Sequence, residues 1–355
     1  MYQPHFSIAQ IAAQEYLSEA DIRLLLSLEK PRDLEMLFQI ADEIRQYYVG
    51  DEVHLRGIIE FSNLCRRNCD YCGLRHANHT IVRYRMDEIE ILQAIERIYQ
   101  SGISTVVLQS GEDLHWSRSR VSELIKEIKR RFPLAITLSL GERDADTYRD
   151  WFEAGADRYL LKIETTNPAI YKKIHPDCDY QERVRCQKDL RQIGYQLGSG
   201  FMIGLPGQSI DDLAKDIYHL QEIGADMAGM GPFIPDSNTP LAKDEAGAAE
   251  MTLKAIAASR LLTKVTHLPA TTSLETLSPG GRLLALKAGA NVIMPNFTPM
   301  KYRKNYAIYP KKAGVSLSPD ALLEKIKTEI DAAGRTIAQN PGHSLRSQWR
   351  VMSKR

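Results

Sequence analysis

Eight short apolar runs, separated by charged stretches of helical period, predict an α/β protein built as a closed (β/α)8 barrel. The runs cover residues 54–62, 105–111, 135–141, 158–165, 196–205, 227–235, 266–273 and 291–296. From first to last they occupy close to the roughly 250 residues typical of such a barrel. The placement of Glu60, Gln109, Thr137, Glu164, Met202, Thr271 and Asn296 at or near the C-terminal ends of the runs adds a second argument. A barrel gathers those ends around one mouth, whereas an open doubly wound sheet, which shares the alternation, spreads them along a line.

Taken in order, residues 1–50 carry two helical patterns, 18–29 with Ser18 and Asp21 as capping residues and 31–48 with Pro31 at its start. Their apolar positions suit a cap packed on the barrel. Residues 51–300 form the barrel, with crossover helices such as 121–131 and 210–222 between strands. Residues 301–355 make a C-terminal extension that closes the barrel: a Pro- and Tyr-containing stretch to 310, a helix over 319–334, and a basic, Ser-rich tail from 339 that reads as solvated.

The chain has 355 residues, 43% of them hydrophobic, enough for one large core. Forty-six basic against 45 acidic residues give a net charge of +1, which points to neither nucleic acid nor membrane as the main partner. No apolar run is long enough to span a bilayer, and the first residues lack a basic-then-apolar signal pattern. A reducing, cytoplasmic setting is expected.

Chemistry is concentrated in Cys65, Cys69 and Cys72, a Cys-x3-Cys-x2-Cys triplet with Tyr71 before its last member. Three thiolates this close can wrap a four-iron cluster and leave one iron open to a small molecule, whereas four cysteines would complete the cluster for electron transfer. A zinc site of the three cysteines with His76 or His79 is the competing reading. Cys178 and Cys186 read as isolated thiols.

The triplet resembles that of the radical S-adenosylmethionine (SAM) enzymes. Further motifs narrow the likeness: 56–62 (RGIIEFS), 83–86 (RYRM), 108–113 (LQSGED), 137–142 (TLSLGE), 158–165 (RYLLKIET), 202–208 (MIGLPGQ), 231–235 (GPFIP), 269–272 (PATT) and 291–296 (NVIMPN). Together, over about residues 15–345, they resemble the HydE family of [FeFe]-hydrogenase maturases. The resemblance implies one 4Fe-4S cluster on Cys65, Cys69 and Cys72, and SAM as cofactor. It places Ser110, Gly111 and Glu112 against the SAM amino group. Glu164 falls at the ribose hydroxyls, Arg183 at the SAM carboxylate and Met202 at the adenine, with Ser139 also among the SAM residues. Arg56, Gln109, Thr137, Lys162, Thr271 and Thr272, with Tyr302 and Tyr306 nearby, would line a positively charged substrate cavity.

By the same resemblance the substrate is a small iron complex bearing cysteine, carbon monoxide and cyanide. The partner maturases are HydG and HydF, and a flavodoxin or ferredoxin supplies one electron. Two departures stand out. No cysteine follows Cys186, so the second cluster of some members is not expected, and Lys162-Ile163 replaces the Arg-His of some members. Lysine keeps the charge but not the bidentate fork. A mutase or sulfur-inserting enzyme of the methylornithine synthase or biotin synthase kind, and a non-catalytic iron-sulfur carrier, are the alternatives.

Overall fold

A computed structural model describes residues 8–346. The first strand runs as Glu52–Leu55 and Gly57–Ser62, broken only at Arg56. Gly57–Ser62 begins a parallel series that continues through Thr105–Ser110, Ala135–Ser139, Arg158–Leu160, Gln196–Ser199 and Met227–Ala228. The next place is held by single bridges, Met227 to His267 and Pro269 to Val292. Val292–Ile293 then pairs with His54 and Leu55, and Asn296 with Ile58. The ring is closed, which excludes the open sheet.

Several expected strands are shorter than their apolar runs. The run over 196–205 breaks at Gly200, where φ is +147° and a Cβ would sit 2.0 Å from the Gly229 carbonyl oxygen, so two backbones meet there and only glycine allows it. Beyond the break, Met202–Ile203 pairs with Gly231–Pro232 as a short upper rung. The run over 266–273 forms bridges only, because Pro269 has no N–H to donate and a helix, Thr272–Leu277, starts at once.

Helices close the outside. Glu88–Gln100 and Ile210–Glu222 carry full capping boxes from Asp87 with Glu90 and from Ser209 with Asp212; Ser117, Asp144 and Asp179 cap three more. The N-terminal helices Glu19–Leu26 and Pro31–Val49 pack on Ile210–Glu222 and Ala249–Thr263, and Ser18 and Asp21 form a capping box.

The C-terminal segment corrects the expectation of a solvated tail. After helix Pro319–Ala332, Thr336–Ile337 adds a parallel rung beside Glu52 and Val53, and residues 339–346 cross beneath the barrel at the N-terminal ends of its strands. Thr105 Oγ1 and Arg158 Nη2 donate to the Pro341 carbonyl at 2.9 and 2.8 Å, Arg56 Nη2 donates to the Gly342 carbonyl at 3.2 Å, and Ser344 pairs with Asp226. The buried ends of Arg56 and Arg158 need acceptors, and this stretch of backbone supplies them. The remainder of the tail, from 347, lies outside the described residues.

Candidate active site

A cavity of about 430 Å³ opens at the C-terminal ends of the strands, lined by all three cysteines of the triplet. Their loop follows strand Gly57–Ser62 and is pinned from outside: Arg66 N donates to the Glu112 carbonyl at 3.1 Å, Asn68 N to Asp177 Oδ2 at 2.9 Å, and Asp70 N to the Ile174 carbonyl at 2.8 Å. Gly111 lets the next strand approach, since a Cβ there would stand 2.2 Å from the Leu64 carbonyl and 2.8 Å from the Cys65 Cβ.

The donor set suits an iron-sulfur cluster better than zinc. His76 and His79, the fourth ligands of the zinc reading, are exposed and lie outside the cavity lining that holds the three cysteines. Burial raises the Cys65 thiol and pushes Cys72 up to about 12; a hydrogen bond with Cys178, then burial, raises Cys69. Cys178 is therefore a neighbour of the triplet and not an isolated thiol. Three half-buried cysteines whose thiols are raised need a bound metal centre to stabilise their thiolates.

Glu164 has φ of +65°, a backbone strain that a non-glycine residue rarely carries and that occurs mainly at functional positions. Lys162 Nζ lies 3.0 Å from Glu164 Oε2, yet off the hydrogen-bonding direction, so this buried oxygen accepts no hydrogen bond. A carboxylate at the cavity wall that is ion-paired but accepts no aligned hydrogen bond at this oxygen keeps acceptor capacity that suits a ligand hydroxyl.

Arg183 is buried, with its Nε 2.6 Å from Glu142 Oε1 and its Nη1 2.5 Å from the Lys162 carbonyl. Glu142 also accepts from Arg67 Nη2 at 2.6 Å, and its N–H donates to Glu112 Oε1 at 3.0 Å. Arg66 and Arg67 both donate from Nε to Glu112 Oε2, at 2.9 and 2.7 Å. Burial works against ionisation of Glu112, but the Glu142 N–H and the two arginines hold its carboxyl below the usual range. The Glu112 carboxylate, expected to accept from the SAM amino group, is thus engaged in bracing the cluster loop.

The cavity also collects Gln109, Ser110, Ser139, Lys162, Met202, Thr271, Thr272 and Tyr306. Three expected substrate residues lie elsewhere. Arg56 and Thr137 line a small separate pocket below, because they point inward lower down their strands than the mouth residues. Among the described residues Arg56 Nε and Thr137 Oγ1 have no hydrogen-bond partner, and the Arg56 side chain reaches the Met227 sulfur and the Gly342 carbonyl. Tyr302 turns outward, stacks on Tyr84 with ring centroids 4.5 Å apart and donates to Glu90.

Residues 59–218 match the radical SAM superfamily. The chain is 47% identical to the "[FeFe] hydrogenase maturase subunit HydE" of Thermotoga maritima over 95% of its own length and 94% of that protein's. It belongs to the HydE family. A 3-methylornithine synthase of Methanosarcina acetivorans is 30% identical over 82% of the chain and 83% of that protein. The crystal structure of methylornithine synthase (PylB) superposes with a TM-score of 0.82 at 26% identity, covering 93% of this chain and 96% of that one.

A radical SAM enzyme of the HydE family uses a 4Fe-4S cluster and SAM. Sequence reasoning overlooked Glu142, although it ends the 137–142 motif, and Arg67, although it lies inside the cysteine loop. Neither stands out in the sequence, because only folding brings the two together. No helix among the described residues is long and apolar enough to cross a membrane.

Proposed function

We propose that this HydE-family chain holds its cluster on Cys65, Cys69 and Cys72 and acts on a small iron complex bearing cysteine, carbon monoxide and cyanide during assembly of the [FeFe]-hydrogenase centre. One observation carries the reading: the three thiols and the Glu164 carboxylate, paired with Lys162, face the same cavity in a chain 47% identical to a maturase. When bound, the cluster and SAM supply an electron and a 5'-deoxyadenosyl radical.

The chain's own residues bind and orient. Glu164 accepts from the SAM ribose, and Arg183, fixed by Glu142, directs its remaining N–H groups to the SAM carboxylate. Ser110, Gly111 and Ser139 present short polar groups to the amino end, and Met202 covers the adenine. Glu112 acts through Arg66 and Arg67 on the cysteine loop. Gln109, Lys162, Thr271, Thr272 and Tyr306 face the substrate, and the apolar remainder of the wall excludes water. HydG supplies the complex, HydF is the other partner maturase, and a cytoplasmic flavodoxin or ferredoxin gives the electron.

The test mixes reduced enzyme and SAM with the iron complex and, separately, with lysine or dethiobiotin. Consumption of the iron complex with an adenosylated intermediate supports the maturase reading. Conversion of lysine to methylornithine, which the likeness to methylornithine synthase makes the second reading, would replace it.

A further inference from the structure

Glu60, at the end of the first barrel strand, is 2% exposed and pairs with Lys312. The lysine arrives from a stretch without regular structure between Arg303 and Pro319, anchored by Ala313 N donating to Thr276 Oγ1 at 2.8 Å and by Arg303 Nη1 donating to the Leu317 carbonyl at 2.5 Å. Both charges line the large cavity. A second donor, Asn296 Nδ2, fixes Glu60 Oε2 at 2.8 Å, and Thr298 Oγ1 accepts from the Glu60 N–H at 2.8 Å. Lys312 Nζ stands 5.2 Å from the Tyr306 ring centre, and the Tyr306 hydroxyl accepts from Gln109 Nε2 at 3.2 Å.

An ion pair this dry adds little stability for its desolvation cost, yet here both partners are held by further contacts and face open space. An ammonium has three N–H donors, and pairing with Glu60 uses one of them. We infer that Lys312 is a substrate-binding residue that gives a second N–H to an anionic oxygen, a carboxylate of the bound substrate, while Glu60 acts as its positioning residue. Because the pair is neutral overall, it orients the ligand more than it attracts it. The inference rests on the proposed maturase reading for the identity of the substrate, but its own claim is carboxylate recognition.

The experiment uses the full-length, cluster-loaded enzyme under anaerobic conditions with SAM. With the iron-cysteine complex, Lys312→Met should raise KM at least tenfold while iron content and SAM affinity stay at wild-type values, and Lys312→Arg should recover most of the loss. A KM within twofold of wild type, or loss of iron and SAM binding along with it, would overturn the assignment. If the wild type does not consume that complex, the maturase reading fails, and calorimetry with two simple probes decides the present one. L-Cysteine should bind the wild type at least tenfold more tightly than cysteamine, which lacks the carboxylate, and Lys312→Met should abolish the difference. No preference in the wild type, or a preference that survives the substitution, overturns it.

Discussion

Arg183 and Glu142 are joined at 2.6 Å, both buried, one on helix Tyr180–Ile193, the second after the fourth barrel strand, and the other just beyond the third. The same carboxylate holds Arg67 of the cysteine loop at 2.6 Å. Glu142 therefore couples the proposed SAM-carboxylate site to the cluster site through two arginines. A buried guanidinium without that partner would be strongly disfavoured, and the pairing also fixes which N–H groups remain for a ligand.

Arg183→Ala should weaken SAM binding by about 1.5–3 kcal/mol, the range for hydrogen bonds to charged groups, and leave the iron content unchanged. Glu142→Gln should weaken SAM binding and also reduce iron retention, because Arg67 and Arg183 lose one shared anion. Calorimetric SAM titration and iron analysis of the two variants check the pair. Normal iron in Glu142→Gln would mean that Arg67 needs only Glu112.

Reconstitution should yield one 4Fe-4S cluster, lost in a triple Cys→Ala variant; about eight irons per chain would contradict the ligand assignment. The raised thiols add a pH dependence. Thiols pushed up, Cys72 to about 12, hold their protons at neutral pH, so iron must displace them. Cluster assembly rates should rise from pH 7 to pH 9 and fall toward pH 6, followed by absorbance during anaerobic reconstitution.

The barrel and its cap were legible because their signals are local: apolar runs sit in consecutive residues, and Ser18 with Asp21, and Pro31, start their helices as expected. Site residues at strand ends were legible for the same reason, since the end of a barrel strand places a side chain at the mouth. Depth was not. Thr137 and Arg56 differ from Gln109 only in their height along the barrel axis, which depends on strand stagger. Long-range partners were hidden too. Lys312 and Glu60 are 252 positions apart, and the tail that receives Arg56 is 286 positions from it. Its basic composition suggested solvent, but what the barrel uses there is the tail's backbone carbonyls.

Arg56 is fully buried with no carboxylate in ion-pair contact among the described residues, and burial followed by the charge of Arg158 lowers its pKa well below the guanidinium norm. Such a group does little for stability. Arg56→Met should leave the unfolding midpoint unchanged or raise it, with a gain of up to about 1–4 kcal/mol by analogy with buried charges replaced by apolar groups. Urea unfolding of the cluster-free chain checks this. A loss above that size would show that the contact with Gly342 holds the tail in place.

Asp216 lies under two loops of the proposed SAM site. Its Oδ1 accepts from the Thr166 N–H at 2.5 Å and the Thr166 hydroxyl at 2.7 Å, and its Oδ2 accepts from Gln208 Nε2 at 3.1 Å. Gln208 in turn holds the loop after Met202, taking the Gly204 N–H at 2.8 Å and donating to the Met202 carbonyl at 3.0 Å. Burial pushes the Asp216 carboxyl up to about 7 against these donors. A carboxyl raised on folding contributes stability that is fully present below its unfolded value, near 4, and is lost as pH rises through about 7. Wild-type stability should thus fall between pH 5 and pH 8 by on the order of a few kcal/mol from this group, and Asp216→Asn should flatten that slope. SAM affinity should run the other way. Protonation removes the negative charge that the Thr166 and Gln208 donors meet and weakens their hold on the Met202 loop, so SAM binding should weaken as pH drops below about 7 in the wild type and lose this dependence in Asp216→Asn. Parallel urea unfolding and SAM titration across that range decide both, and a wild-type SAM affinity that is level from pH 5.5 to pH 8 would remove Asp216 from any role in positioning the loop.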